Sequence, residues 1–150
     1  MGNIWEDIYQ GPLSEIPWLK TESTWLTAFI KSTSLPRGKA IDLGCGTGVN
    51  SVALAKTGNF TKVLGLDISP TAIHYANNLA KQNSLNNICE FRVVKLPDFT
   101  PNNDYELILD WAFIHCLKPS DHKAYAALIE RLSKRVPFCS LDIFHKKTLR

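Results

Sequence analysis

No apolar run in the chain approaches the ~18 residues that a membrane-spanning helix requires, so none is expected. No apolar stretch follows Met1 either. The opening Met1-Gly2-Asn3-Ile4-Trp5-Glu6 carries an acid where a secretory signal would be apolar, and Glu6 stands where a myristoylation signal would need Ser or Thr. The four cysteines (Cys45, Cys89, Cys116, Cys139) never fall into C-x-x-C spacing. They read as scattered small apolar residues of a reduced, cytoplasmic protein, with no metal site expected. Charge of one sign is also scarce. Seventeen Lys and Arg against fourteen Asp and Glu leave +3, too little to mark a nucleic-acid or membrane partner. The one basic cluster, Lys146 and Lys147 with Arg150, reads as a solvated tail. There is no repeat, low-complexity tract or Gly/Ser linker, so the 150 residues are expected to form a single domain, 1–150. At 45% hydrophobic and 21% charged they suit a packed core rather than disorder.

What the chain does contain is alternation. Lys39 to Leu43 is a short apolar strand-like run, and Val49 to Lys56 follows with helical spacing before Gly58 ends it. Lys62 to Leu66 is a second strand. Ser69-Pro70 then supplies an N-cap and a first-turn proline for a helix whose stripe is Ala72, Ile73, Ala76, Leu79 and Ala80. Cys89 to Val94, Tyr105 to Leu109 and Phe138 to Phe144 read as three further strands. Ser120-Asp121 is placed to cap a helix with an inner face of Ala124, Leu128 and Leu132, closed by Pro137. Upstream, Ser23 to Ser32 reads as a helix burying Trp25, Leu26 and Phe29. Strands alternating with helices over short connections predict an α/β, doubly wound, mostly parallel sheet. Ligands of such sheets sit at the carboxyl ends of the strands, beside the switch in strand order.

The most informative stretch lies at such an end: Ala40-Ile41-Asp42-Leu43-Gly44-Cys45-Gly46-Thr47-Gly48. It follows a strand and opens a helix, the context a nucleotide loop needs. Its spacing is G-x-G-x-G, not the G-x-G-x-x-G of dinucleotide folds, and no P-loop lysine follows. A nicotinamide-dependent oxidoreductase is therefore disfavoured. Asp42 puts a carboxylate at the strand end, where it can meet an amino group. Asp67 closes the second strand nineteen residues after Gly48, where a ribose diol is gripped. The alternative is a glycine-rich turn flanked by two surface acids.

AIDLGCGTG, VLGLDISPTAIHYA and YELILDWAFIHCL together resemble the glycine motif, the ribose-acid motif and the fourth-strand motif of class I S-adenosylmethionine-dependent methyltransferases. The resemblance runs from Trp18 to Phe144 and is similar to the small-molecule, thiopurine S-methyltransferase-like branch. It implies a Rossmann-like fold with S-adenosylmethionine as cofactor. It also implies that residues 1–36 form an N-terminal lid or helical segment ahead of a cofactor-binding core at 37–150. In the family's arrangement Gly44, Gly46 and Gly48, with Cys45 among them, would wall the methionine moiety, and Asp42 would shape that end. Asp67 would bind both ribose hydroxyls, Ile68 would lie against the adenine, and Asp110 would sit by the sulfonium. Pro17-Trp18 occupies the place of a segment that folds over the cofactor in that branch, against the plainer expectation of core packing for Trp18. Trp5, Tyr9 and Trp25 are expected to be core or edge residues.

Two departures follow. Lys95 stands where the family places an acid or amide near the adenine, so recognition would rest on backbone at Lys95 and Leu96 or on Asp98 reaching back. The family's sheet has seven strands and this chain supplies five. That implies a sheet lacking the last two strands, with an apolar fifth-strand edge that invites a second copy. Methyl transfer needs the acceptor held in line with the leaving sulfur and no obligatory catalytic residue. His115 and Asp110 are the candidates for proton handling, His115 being more readily a solvated loop histidine; His74 is expected at the surface. Trp111, following Asp110, is also a candidate to touch the cofactor, and with Phe113 it is a candidate to line an apolar pocket for a small-molecule acceptor. A nucleic-acid methyltransferase is disfavoured, since no basic face accompanies Asp110-Trp111-Ala112-Phe113. The competing expectation is a non-catalytic or partner-dependent S-adenosylmethionine-binding domain.

Overall fold

The computed structural model describes residues 3–16, 19, 24–32, 34–102, 104–133 and 140–142. Its strands are β1 (Gly38–Leu43), β2 (Phe60–Asp67), β3 (Cys89–Val93), β4 (Leu107–Asp110) and β5 (Ser140–Asp142). Its helices are α1 (Ile4–Gln10), α2 (Thr24–Ser32), α3 (Val49–Lys56), α4 (Pro70–Gln82) and α5 (His122–Ser133). The strands run in the order β3-β2-β1-β4-β5, and every pairing is parallel. Parallel strands need crossovers, and the crossover helices cover both faces.

Side-chain alternation sorts the core into two layers. Ala40, Val63, Cys89, Phe91, Leu107 and Leu109 point to one face, where they meet Leu26 of α2, Val52 and Leu54 of α3, and Ile73 and Ala76 of α4. Ile41, Leu43, Leu64, Leu66 and Ile108 point to the other, against Tyr125, Leu128 and Leu132 of α5. Burying both faces explains why β1 and β4 read as apolar runs without polar alternation.

The α3 span is the one its periodicity predicts, and α4 begins as its caps require: Ser69 Oγ accepts the Ala72 N–H and Pro70 opens the helix. The stripe Ala72, Ile73, Ala76 and Ala80 is buried. Three expectations are corrected. On α5 the inner residue is Tyr125, 3% exposed, whereas Ala124 faces solvent; a spacing of three and four (125, 128, 132) keeps one face inward. β4 starts at Leu107 rather than Tyr105 and takes in Asp110, whose pairing with Leu43 extends the ladder to the acid. β3 ends at Val93, one residue early. Of the expected fifth strand only Ser140–Asp142 falls within the described residues, as does Thr24–Ser32 of the upstream helix.

A third small cluster joins Tyr9 and Ile16 to Ala72 of α4. α1 thereby lies across the start of α4, at the same end of the sheet as the glycine loop.

Candidate cofactor site

The strand order reverses between β1 and β4. From that switch point the loop after β1 carries Gly44, Gly46 and Gly48, all at positive φ. Gly44 and Cys45 donate their N–H groups to Leu66 O at 2.8 and 2.9 Å, binding the loop to the end of β2. The glycines face different neighbours. A Cβ on Gly44 would collide with the Phe113 ring, and one on Gly46 would lie 2.7 Å from Tyr9 Oη. At Gly48 a Cβ would come 2.8 Å from Ala76 Cβ and 2.9 Å from the Phe91 ring, so its small size lets α3 pack on α4 and β3.

Three carboxylates meet at the carboxyl ends of adjacent strands. Asp42 on β1 is 1% exposed and accepts from Ser51 Oγ at 2.5 Å. Burial pushes its pKa from 3.8 up to about 7, a rise that the Ser51 hydroxyl opposes and the charges of Asp110 and Asp67 increase. Asp67 on β2 is 8% exposed; its Oδ2 accepts the Gly46 N–H and its Oδ1 the Ser69 N–H, each at 2.9 Å. Burial raises its pKa, and those backbone donors oppose the rise. Asp110 on β4 is 6% exposed; its Oδ1 accepts the Phe113 N–H at 2.9 Å and its Oδ2 the Tyr125 hydroxyl at 2.5 Å.

The remaining expected residues divide. Ile68 follows Asp67, half-buried, and its carbonyl accepts from Asn3 Nδ2 at 3.2 Å. Leu96 is 2% exposed with its side chain in the α5-side core, so what it offers a ligand is backbone. Lys95 and Asp98 are both exposed. Trp111 is half-buried; His115 and Cys116 are exposed on the turn Ile114–Cys116. His74 is exposed, as expected. Cys45 is buried beside the loop, and burial first, then Asp42, raises its thiol well above the usual range, which keeps it protonated and inert. Trp18 lies outside the described residues.

Three participants escaped the sequence reading. Glu6 of α1 accepts from Ser69 Oγ at 2.5 Å, from the Thr71 N–H at 3.2 Å and from Thr71 Oγ1 at 2.5 Å, capping the start of α4 from outside. Those hydroxyls hold its pKa down to about 2. The latch sets α1 so that Tyr9, buried, reaches the glycine loop. Tyr125 could have been found from the α5 periodicity; nothing local to Glu6 or Tyr9 announces a contact more than thirty residues away.

Residues 36–149 match the family described as methyltransferase domain. The chain is 33% identical to a probable thiol methyltransferase 2 and 34% identical to thiocyanate methyltransferase 1, both of Arabidopsis thaliana. Each match covers 87% of this chain and 56% of the relative, so the chain spans about half the length of these relatives. Among solved structures, one titled for conversion of a disulfide bond into a thioacetal group during echinomycin biosynthesis superposes with TM-score 0.71. It is 28% identical over 86% of this chain and 54% of its own. A putative S-adenosyl-L-methionine-dependent methyltransferase of Methanococcus maripaludis shares the fold, with TM-score 0.63 and 22% identity over 72% of this chain and 48% of its own.

Proposed function

The chain belongs to the methyltransferase-domain family, whose cofactor is S-adenosylmethionine, and from that premise we propose that it methylates a small-molecule nucleophile. The observation that carries the proposal is the buried trio Asp42, Asp67 and Asp110 around a left-handed glycine loop, with the charges that act on Asp42 themselves negative. Concentrated negative charge away from water suits a ligand that brings positive charge, and S-adenosylmethionine brings a sulfonium and an ammonium. Bound there, the cofactor supplies a methyl already activated by its sulfonium.

The chain's own residues then have binding and orienting work. The Asp67 carboxylate accepts the Gly46 and Ser69 N–H groups, with a further backbone bond from Ile68, and its remaining acceptor capacity is assigned to the ribose hydroxyls. Asp42 and Asp110 set the potential for the cationic end, Gly44, Cys45, Gly46 and Gly48 shape the floor, and Ile68 with the Leu96 backbone flanks the adenine. α1 covers that end of the site, and Trp18 keeps the covering role that the family resemblance implies. Trp111 and Phe113 face the acceptor, which they hold in line while excluding water. His115 is the candidate to take a proton at its ring nitrogen; an acidic thiol would need little such help. A sulfur nucleophile is the acceptor class we favour, on the strength of the thiol and thiocyanate methyltransferase relatives. We place the protein in the cytoplasm: among the described residues Cys45, Cys89 and Cys116 are free thiols, and no helix is long and apolar enough to cross a membrane. A second copy pairing along β5 is part of the proposal, to be checked by light scattering at high concentration; a strictly monomeric mass rejects it.

The test is calorimetric titration of S-adenosylhomocysteine into the wild-type chain and into Asp67→Ala. Two charge-assisted hydrogen bonds of ~1.5 kcal/mol each predict a loss of about a hundredfold. Wild-type binding unaffected by the substitution rejects the assigned ribose site. Release of S-adenosylhomocysteine from S-adenosylmethionine across a panel of thiols and thiocyanate checks turnover, and binding without turnover returns the chain to the class of cofactor-binding modules.

A further inference from the structure

We infer that Tyr125 is a positioning residue: its hydroxyl fixes the Asp110 carboxylate in one orientation and thereby sets how strongly the site prefers S-adenosylmethionine, with its sulfonium, over S-adenosylhomocysteine, whose sulfur is uncharged. The inference rests on the cofactor site proposed above and deepens it.

Asp110 ends β4 on the α5 side of the sheet, and the acid is gripped from two elements. Tyr125, fifteen residues on and 3% exposed, donates from Oη to Oδ2 at 2.5 Å. The Phe113 N–H donates to Oδ1 at 2.9 Å. For that second bond the chain must turn back within three residues, and it does so through Ala112 at φ +62°, a left-handed conformation that a side chain bearing Cβ rarely adopts. The same turn brings the Phe113 ring 5.3 Å from the Tyr125 ring, centroid to centroid, and into the side-chain space of Gly44. The carboxylate is therefore tied through one ring pair to the glycine loop.

Packing alone does not call for the hydroxyl. Phenylalanine would fill the same volume against Phe113 and Leu128 without a buried polar atom to satisfy. The hydroxyl's partner is a buried carboxylate, 6% exposed, at the strand end beside Asp42. A donor on Oδ2, added to the Phe113 N–H on Oδ1, fixes where both oxygens sit and with them where the acid's charge lies. A charge fixed beside the sulfonium is read by S-adenosylmethionine and not by S-adenosylhomocysteine, which has nearly the same shape and the same ammonium but an uncharged sulfur.

The test measures the affinity of both S-adenosylmethionine and S-adenosylhomocysteine for the full chain as wild type, Tyr125→Phe, Asp110→Asn and the double variant, with Tm alongside. Tyr125→Phe is expected to leave S-adenosylhomocysteine within about twofold while the preference for S-adenosylmethionine falls roughly threefold to tenfold. Asp110→Asn is expected to lower the preference at least as far, and adding Tyr125→Phe to it to change nothing more. Equal weakening of both ligands, no change in either, or an undiminished effect of Tyr125→Phe in the Asp110→Asn background overturns the inference while leaving the cofactor site standing. Wild type that binds neither ligand overturns the cofactor site and the inference with it.

Discussion

Asp42→Asn is expected to make the protein more stable at neutral and alkaline pH, and the reasoning is quantitative. In the fold the Asp42 carboxyl titrates at about 7, against 3.8 for the ordinary group. Its folded pKa is raised, so between those values the native state holds a proton that the unfolded chain has released. Stability therefore falls as pH rises through this window, and above it the whole cost is present. Three pKa units correspond to about 4 kcal/mol at full ionisation. Near pH 5 only the first unit or so has been incurred, which leaves about 2–3 kcal/mol to appear between pH 5 and pH 8. Asparagine keeps an oxygen for the Ser51 hydroxyl and cannot ionise. Its extra N–H groups carry a cost of their own, but one independent of pH. The readout is thus the difference between two differences: urea unfolding of wild type and Asp42→Asn at both pH values. The variant should gain about 2–3 kcal/mol on wild type as pH goes from 5 to 8. Unfolding curves that stay parallel across that range would refute the claim that the buried acid sets the slope. The same variant should bind S-adenosylmethionine more weakly, since the strain belongs to the ligand's charge.

Gly48→Ala should destabilise the fold itself, whether or not a ligand is present. A left-handed alanine costs ~1–2 kcal/mol, the collision with Ala76 and Phe91 adds ~1–3, and the stiffer unfolded chain returns ~1, so Tm should fall by about 5–15 °C; a shift under about 2 °C contradicts that packing. Glu6→Gln should speed amide exchange in Ile4–Gln10 and leave the sheet untouched. In wild type the protection of the same amides, taken against their intrinsic exchange rate at each pH, should fall on acidification from about 4.5 towards 2, because a carboxyl with a lowered folded pKa stabilises only while ionised. Protection in α1 that is indifferent to both changes would show that the Glu6 latch does not hold the helix.

The parts legible in the sequence were those with local causes. The run from β1 through α4 carries its own caps, glycines and period, which mark Asp42 and Asp67 as strand-end acids and Gly44, Gly46 and Gly48 as the loop between β1 and α3. Asp110 was legible as the end of a strand. What hid was set by distance and by sterics that leave no pattern. Glu6 meets Ser69 and Thr71 some 65 residues away, and neither end of that contact resembles a binding signal. The turn after Asp110 depends on a left-handed alanine where sequence chemistry would suggest glycine or asparagine. The α5 face was misjudged by a single position, since alanine and tyrosine at 124 and 125 both tolerate burial and only the spacing to Leu128 and Leu132 decides.

α1 has seven residues, fewer than the dozen or so a helix needs to persist alone in water. Its helicity is therefore a product of its docking, and the two rise and fall together. Since Tyr9 reaches the glycine loop only from the docked helix, any ligand whose tight state includes that residue binds with an apparent affinity scaled by the docked fraction. A tenfold loss of docked population costs such a ligand about tenfold in affinity although no group touching it has changed. Asn3–Gln10 acts in this sense as a variable resistor in series with the site, and a bulky fusion placed ahead of Asn3 would turn it.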